Sequence, residues 1–320
     1  MSMLYLAESD VRDLLPMAEC IGLMHTAFTC LSSGLAANQP RRRLILSTGS
    51  VLHYMAGSDG RYFGAKIYSS HPRHGAHFLF LLYRAADAEP LALIEANYLG
   101  QIRTGAASGL ATKLLARDDA ATAAIIGSGF QAQTQLAALV AVRRLAEVRV
   151  WSRDPGKRAR FAAEGSEAFG VPVRAVETAE QAVRGAAIVS TATYAKDPVL
   201  AAEWVEPGTH INAMGSNQAA RREIPADLVR QAARIVVDSL EQARMESGDL
   251  LLALDEQDWT GPRLVELQEV VSGRSPGRTH PPEITLFKSN GLAVEDVIAA
   301  GFVYEKALAA GRGTPVPAHS

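Results

Sequence analysis

The chain has 320 residues, of which 48% are hydrophobic and 21% are charged, ordinary values for a globular protein that can bury a sizeable core. This length favours two domains, or one large domain, over a single small core. The 32 basic residues nearly balance the 34 acidic ones, and a net charge of −2 gives no electrostatic case for a nucleic-acid or membrane partner. The expected partner is therefore a small molecule.

The first segment of the chain indicates no targeting sequence. Acidic residues such as Glu8 interrupt its apolar stretch, so no signal peptide is expected there. No stretch reaches the roughly 20 apolar residues of a membrane-spanning helix. Cys20 and Cys30 lie in one predicted helix, roughly 15 Å apart along its axis, which is too far for a disulfide bond. These features predict a cytoplasmic location for the protein.

The first third of the chain predicts two helices followed by a sheet. The first helix begins after Ser9, and the second covers about residues 17–32 and ends before Gly34. Five short apolar runs, separated by turns that contain Gly or Pro, then predict an antiparallel meander. These runs are residues 43–46, 51–55, 62–68, 78–83 and 91–94.

The spacing of the apolar residues changes in the rest of the chain. A helical pattern from about residue 98 is followed by alternating strand and helix signals, which is typical of a parallel, doubly wound sheet. The predicted strands are residues 123–126, 148–151, 171–176, 187–191, 210–213 and 235–238, and residues 284–287 follow near the end of the chain. An apolar helix over about residues 292–308 closes the pattern, and the last eight residues are predicted to be disordered.

A glycine-rich turn follows the first strand of this alternating region. The sequence Gly127-Ser128-Gly129-Phe130-Gln131-Ala132 is G-x-G-x-x-A between a buried strand and a helix. Gly127 permits a tight turn, Gly129 lets the backbone approach a pyrophosphate, and Ala132 lets the helix pack closely on the strand. The helix N-terminus presents N–H groups to phosphates. The pattern predicts a dinucleotide site; the alternative is a tight turn with no ligand.

The end of the second strand bears on the choice of dinucleotide. An NAD site usually has an acidic residue there to accept from the ribose 2′-hydroxyl. This chain has Ser152 and Arg153, with further basic residues close behind, and a hydroxyl beside a guanidinium suits a 2′-phosphate. The alternative is a solvated basic helix start, with Asp154 facing away. The residues favour NADP, with NAD also possible.

Two further motifs identify a family. Arg103-Thr104-Gly105-Ala106-Ala107-Ser108 precedes the cofactor strand, and Phe287-Lys288-Ser289-Asn290-Gly291 through Asp296 lies near the end of the chain. With the glycine turn, they resemble the ornithine cyclodeaminase/mu-crystallin family in order and spacing over nearly the whole chain. The resemblance implies a Rossmann-type parallel sheet domain, residues 117–289, inserted into an α+β domain, residues 1–116 plus 290–320, that binds substrate and forms a homodimer.

The resemblance also implies an activity and a set of site residues. Family members interconvert an α-amino acid and its imine by hydride transfer with NAD(P), and their substrate would face Arg42, Lys66 and Arg103. The motifs add Thr104, Lys288 and Ser289 to the cofactor site. From the residues alone, Lys66 interrupts an apolar strand, for which the alternative is an exposed strand face. Alternation predicts that Arg41 and Arg43 point away from the face of Arg42.

One segment departs from the cyclodeaminase pattern. Members that cyclise ornithine resemble one another in a Gly-Gly-Asp segment whose Asp acts as a base, and the matching segment here is Gly215-Ser216-Asn217. An amide is not a useful base at neutral pH. Imine reduction or amino-acid oxidation is therefore the predicted function. Ornithine cyclisation is one alternative, and a non-enzymatic NADP-dependent binder is another, which the substrate-facing cations disfavour.

Two other chemistries are disfavoured. His71, His74 and His77 are spaced by three residues, but Pro72 and Gly75 indicate an exposed turn, and no Cys or carboxylate joins them, so no metal site is predicted. No G-x-S-x-G motif follows a strand, which disfavours a serine hydrolase.

Overall fold

The computed structural model describes residues 2–317 of the chain. These residues form two compact units. The first unit contains the chain up to Arg103 and from Gly291 onwards, and the second contains Thr104–Asn290. The functions that the sequence assigns to its two predicted domains, substrate binding with dimerisation and cofactor binding, stay predictions.

The helices and strands are numbered here in chain order. The helices are α1 (Glu8–Leu14), α2 (Met17–Ser32), α3 (Asn97–Leu115), α4 (Phe130–Val142), α5 (Pro155–Phe169), α6 (Ala179–Val183), α7 (Ala226–Gln231), α8 (Leu240–Glu246), α9 (Gly248–Leu251), α10 (Leu267–Val271) and α11 (Ala293–Ala310). The strands are β1 (Ser2–Leu6), β2 (Ala37–Ile45), β3 (Val51–Ser58), β4 (Tyr62–His71), β5 (Gly75–Arg84), β6 (Pro90–Glu95), β7 (Thr122–Ile126), β8 (Glu147–Trp151), β9 (Val173–Ala175), β10 (Ile188–Thr191), β11 (His210–Ala213), β12 (Arg234–Val237), β13 (Leu264–Glu266), β14 (Thr285–Lys288) and β15 (Thr314–Pro317).

The first unit is a seven-stranded sheet in the order β15-β1-β6-β5-β4-β3-β2. Strands β2 to β6 form the predicted antiparallel meander. Their side chains alternate between two faces, and Met55, Lys66 and Phe80, which are cross-strand partners, are buried on one of them. Helix α11 packs against β2 to β6 and against α2. This inner face is the core of the unit.

The opposite face of the same sheet is apolar and exposed. Its residues alternate with those of the inner face and are joined by cross-strand pairs such as Leu44–Leu52 and Tyr54–Ile67. Five large apolar side chains on this outer face are exposed: Leu44, Leu52, Tyr54, Ile67 and Leu79.

The second unit is an eight-stranded parallel sheet in the order β13-β12-β14-β11-β10-β7-β8-β9. The strand order reverses at β7, from which the chain moves first to β8 and β9 and then to β10 and β11, as in a Rossmann-type sheet. The central strands are buried along their length, with one apolar cluster on each face. The predicted fold class, a Rossmann-type parallel sheet inserted into a second α+β unit, is confirmed.

The end of the described chain differs from the prediction of disorder. Residues Thr314–Pro317 form β15, which pairs antiparallel with β1 through partners such as Met3–Val316. The pairing partner lies more than 300 residues earlier, so no local signal predicts it. Residues 318–320 lie outside the described part of the chain.

Among the described residues, no single helix is long and apolar enough to cross a bilayer, although α1 and α2 together meet the requirement of length and composition across an 88° bend.

Candidate active site

A cluster of buried charges lies on the inner face of the first unit. The Lys66 ammonium on β4 donates to Asp296 Oδ1 over 2.9 Å, and the Arg103 guanidinium on α3 donates to the same oxygen through Nε over 3.1 Å. Arg103 Nη1 also donates to Glu295 Oε2 over 2.9 Å. All four side chains are almost completely buried. The structure therefore brings two of the three predicted substrate-facing cations, Lys66 and Arg103, onto one carboxylate.

Local packing holds this cluster in place. The first turn of α11 carries both carboxylates, where the positive end of the helix dipole favours negative charge. The Asn38 side-chain oxygen of β2 accepts from the backbone N–H groups of Ala293 and Val294, so the helix start is tied to the sheet. A Cβ atom on Gly100 would overlap Lys66 Nζ, and one on Gly291 would overlap the Arg103 guanidinium. The two glycines leave the space that the cations fill.

Burial and charge act against each other in this cluster. Burial lowers the pKa of Lys66 to about 8, although Asp296 raises it. Burial also raises the pKa of Asp296, but the charges of Arg103 and Lys66 outweigh it and hold that pKa below its usual value. The pKa of Arg103 is raised, because Asp296 and Glu295 outweigh its desolvation. Lys66 can thus exchange a proton near neutral pH.

Arg42 does not join this cluster, and its expected register is wrong. Between the pairs Gln39–Ala56 and Arg42–Tyr54, strand β2 has two residues, Pro40 and Arg41, while β3 has only Met55. This bulge puts Arg42 on the exposed outer face and leaves Arg41 buried. The Arg41 guanidinium lies 3.8 Å from Met55 Sδ, and its charge lowers the pKa of Lys66. Arg41, rather than Arg42, therefore accompanies Lys66.

The glycine turn of the second unit has the geometry that its sequence predicts. Gly127 ends β7 with φ +115°, a conformation that side chains disfavour, and a Cβ there would lie 2.5 Å from the Ala192 carbonyl oxygen. Ala132 is fully buried one turn into α4. At Gly105, one residue after the buried Thr104, α3 approaches α4 so closely that a Cβ would lie 2.5 Å from the Thr134 carbonyl oxygen.

The open side of this turn fits a dinucleotide phosphate group. A Cβ on Gly129 would meet nothing within 4 Å, and the adjacent Phe130 is 49% exposed at the start of α4. The Gln131 side-chain oxygen is buried and has no hydrogen-bond partner among the described residues. Ser128 Oγ donates to Ser152 Oγ over 2.8 Å, which ties the turn to the end of β8. The N-terminus of α4 therefore begins at an open position of the turn, beside an unsatisfied amide oxygen, and a helix N-terminus favours a phosphate.

The end of β8 presents a basic residue. Arg153 is exposed there, next to Ser152, whose hydroxyl donates to the Asp154 carbonyl oxygen over 3.1 Å. The Asp154 carboxylate accepts from the backbone N–H of Lys157 and caps α5, which lowers its pKa. Arg158 is buried and donates to the Ser152 carbonyl and to Glu177. The one acidic residue at this strand end is therefore used as a helix cap.

Lys288 and Ser289, predicted to contact the cofactor, are buried at the end of β14. The Lys288 ammonium pairs with Asp249 Oδ2 at 3.0 Å and also donates to the Ser216 carbonyl oxygen. The Ser289 hydroxyl donates to Asp238 Oδ2 over 3.0 Å. In the structure both residues hold neighbouring loops, and their contact with a cofactor stays a prediction.

Glu223 is a buried carboxylate that no sequence motif indicates. It accepts four hydrogen bonds from the end of β10 and from the loops that follow β10 and β11. The donors are the Thr191 hydroxyl, the backbone N–H and hydroxyl of Thr193, and the Gly215 N–H, over 2.6–2.8 Å. Its own backbone N–H donates to Asp249 Oδ1. Burial raises the pKa of Glu223. This carboxylate fixes the loop that contains Asn217, at the carboxyl edge of the parallel sheet where Rossmann-type proteins bind ligands.

The second unit is Rossmann-type and has this glycine turn, and the first unit has buried cations; both features are found in oxidoreductases that use a dinucleotide. Comparison with known proteins identifies the class. The family model described as "Ornithine cyclodeaminase/mu-crystallin family" matches residues 1–311 of the chain. The chain therefore belongs to the ornithine cyclodeaminase/mu-crystallin family, as its motifs predict, and is an oxidoreductase.

Individual relatives are named for imine or amino-acid chemistry. A Δ1-pyrroline-2-carboxylate reductase from Bacillus cereus is 42% identical over 71% of this chain and 70% of its own length. The structure of the Thermococcus litoralis Δ1-pyrroline-2-carboxylate reductase, in complex with NADH and L-proline, has 38% identity and a TM-score of 0.93 over 98% of this chain and 100% of its own. An archaeal alanine dehydrogenase dimer with bound NAD has 33% identity and a TM-score of 0.93 over 99% of both chains.

Proposed function

We propose that the chain reduces a cyclic 2-imino acid to the corresponding amino acid, with NADP(H) as cofactor, and that it acts as a homodimer. The relatives named as Δ1-pyrroline-2-carboxylate reductases support a cyclic imino acid, and the alanine dehydrogenase supports the related amino-acid oxidation as the reverse direction. When bound, the cofactor supplies the hydride. Residues Gly127–Ala132, with Ser152 and Arg153, would hold it.

The observation that carries the proposal is the state of the Lys66 ammonium. Within the described residues one of its three N–H donors is hydrogen-bonded, to Asp296, although the side chain is only 3% exposed. The Phe78 ring lies 5.4 Å from Nζ and attracts the positive charge, but it offers no oxygen or nitrogen acceptor. A buried ammonium normally satisfies its donors, so the two donors without such an acceptor indicate a polar ligand. With a pKa of about 8, Lys66 can donate a proton to an imine nitrogen near neutral pH and be reprotonated afterwards.

Arg103 supplies the second part of the substrate site in this proposal. Its two ion pairs use Nη1 and Nε, so Nη2 is the group that can bind the substrate carboxylate. Arg41 adds a positive charge on the same face of the sheet. Together, the three cations would fix the carboxylate and leave the imine nitrogen beside Lys66.

The preference for NADP rests on Arg153. The solved relatives are described with NADH and NAD, whereas the strand end here presents an exposed guanidinium and uses its acidic residue as a helix cap. A guanidinium can bind a 2′-phosphate and offers nothing that accepts from a 2′-hydroxyl. Arg153→Asp should therefore reverse the preference between the dissociation constants of NADPH and NADH, as measured by fluorescence titration. Equal constants in the unmodified protein would contradict the assignment.

The homodimer is supported by the outer face of the sheet in the first unit. Five large apolar side chains are exposed there, and Tyr54 and Leu44 alone are 48% and 56% exposed. An exposed apolar face of this kind typically marks an interface, and a two-fold dimer would cover it with its own copy. Light scattering should give a dimer, and Ile67→Glu should give a monomer. A monomeric wild type at micromolar concentration would refute this part.

The activity is tested by NADPH consumption with a panel of cyclic imines, and of 2-oxo acids with ammonia or methylamine. Arg103→Ala should raise KM by the equivalent of about 2–5 kcal/mol, because it removes the guanidinium that pairs with the substrate carboxylate in a desolvated site. Lys66→Ala should lower kcat if Lys66 is the acid. Arg42→Ala is the matched control, because it removes an arginine from the outer face of the same sheet, and its kcat and KM should be near those of the wild type. Wild-type kinetics in both inner-face variants would show that the site is wrongly placed.

A further inference from the structure

The two buried carboxylates of α11 make different contacts. Asp296 Oδ1 accepts from both Lys66 Nζ and Arg103 Nε, at 2.9 and 3.1 Å. Glu295 Oε2 accepts from Arg103 Nη1, on the other side of the guanidinium. One oxygen atom of Asp296 is therefore the point at which the two substrate-facing cations meet, whereas Glu295 acts on Arg103.

We propose that Asp296 is a positioning residue: its shared oxygen fixes the distance between the Lys66 ammonium and the Arg103 guanidinium and keeps Lys66 protonated at neutral pH. This inference rests on the proposed function, because it assigns to Lys66 the role of proton donor. Asp296 acts through Lys66 and Arg103 and is not assigned a contact with the substrate.

The geometry favours this role over a purely structural ion pair. The three side chains come from β4, α3 and α11, so no single element sets their spacing. Their contacts span 193 and 230 residues of sequence. An oxygen shared by an ammonium and a guanidinium holds both cations closer together than their mutual repulsion favours. That is useful when one substrate must offer its carboxylate to one cation and its nitrogen to the other.

The charges around Lys66 act in opposite directions. Arg103 on α3 and Arg41 on β2 disfavour the ammonium, as burial does, and Asp296 favours it. Glu295 pairs with Arg103 through Nη1. The Cys20 thiol of α2 also interacts with Arg103, Glu295 and Asp296, and burial keeps it neutral by raising its pKa. Asp296 is thus the charge in direct contact with Lys66 that opposes its deprotonation.

Direct titration of Lys66 separates this inference from the proposed function. The chain has only six lysines, so their Cε signals can be resolved by NMR after ¹³C-lysine labelling, with Lys66→Met identifying the signal of interest. Asp296→Asn keeps the side-chain volume and removes the charge, and the pKa of Lys66 should fall by about one to three units, the usual effect of losing an adjacent opposite charge. Glu295→Gln, the matched control on the same helix turn, should change it much less. Asp296→Glu should restore part of the shift.

The pH dependence of imine reduction provides the second measurement. If Lys66 is the acid, kcat falls as pH rises through its pKa, and this alkaline limb should move to lower pH in Asp296→Asn but not in Glu295→Gln. Both variants should raise KM through Arg103. An unchanged Lys66 titration in folded Asp296→Asn, or an equal shift in Glu295→Gln, would overturn the inference. A shift without any detectable imine reduction by the wild type would instead refute the proposed function alone.

Discussion

Gly100→Ala tests the position of the Lys66 ammonium without removing any charge. The added methyl group would point at Lys66, well inside 3 Å of Nζ and 3.5 Å from Cε. Nζ is the far end of a flexible side chain and can move, but α3 and its backbone cannot easily do so. We therefore expect the fold to survive and the ammonium to be displaced from its place beside Asp296.

The size of the effect follows from the distances. To reach ordinary van der Waals contact, Nζ must retreat by roughly 1 Å, and its 2.9 Å hydrogen bond to Asp296 would then be strained or broken. A misplacement of about 1 Å in a catalytic group can reduce the rate on the order of 10²-fold, which is about 2.7 kcal/mol of transition-state free energy. Replacing a helical glycine by alanine contributes up to about 1 kcal/mol of stability, which partly offsets the strain.

The assay is steady-state imine reduction together with thermal unfolding, with Gly22→Ala as the matched control. Gly22 is an exposed glycine within α2 of the same unit, and a Cβ there would meet nothing within 4 Å. This control should gain up to about 1 kcal/mol of stability and keep its kcat. If Gly100→Ala gains as much stability as the control and also keeps its kcat, the ammonium is not needed where the structure puts it.

Three further predictions concern other residues of the site. Asn217→Asp should introduce proline formation from ornithine, measured by ammonia release, whereas the wild type should show little or none. Glu223→Gln should lower the free energy of unfolding by about 1–3 kcal/mol and reduce kcat/KM, because an amide cannot accept all four hydrogen bonds that the carboxylate accepts. The pKa of Lys66 is about 8 in the folded chain, and in the unfolded chain it returns to the ordinary value of 10.5. Between these pH values the unfolded chain therefore binds more protons than the folded chain. The free energy of unfolding should therefore rise with pH across this window, and chemical denaturation of Lys66→Met should lack that rise.

The fold was largely predictable because its signals are local. The run of buried residues before Gly127, the glycine turn and the helix after it are consecutive in sequence, and the structure has them as β7, the turn and α4. The alternating runs of the meander likewise have the period of the strands that they form. Strand β15 was not predictable, because it is short, contains two prolines and depends on pairing with β1.

The site was less predictable, for two physical reasons. A bulge adds one residue to β2, and a single added residue exchanges the faces of Arg41 and Arg42, so alternation gives the wrong arginine. The carboxylates Glu295 and Asp296 fall in the first turn of a helix, where acidic residues are common for reasons of helix stability. Only the tertiary fold shows that they face cations about 200 residues away. Glu223 is similar, since its partners come from two other loops.

The two buried lysines of the chain show how the same residue type serves different purposes. Lys288 pairs with Asp249 and also donates to a backbone carbonyl, so it joins two segments of the second unit. Lys66 is equally buried, but among the described residues it has a single polar partner, a carboxylate that it shares with Arg103, and the Phe78 ring 5.4 Å from Nζ. Burying an ammonium costs several kcal/mol unless its partners compensate, and a merely structural lysine would be expected to use all the compensation available. The incomplete pairing of Lys66, in a space kept open by Gly100, is therefore better explained by a ligand that supplies the missing acceptors.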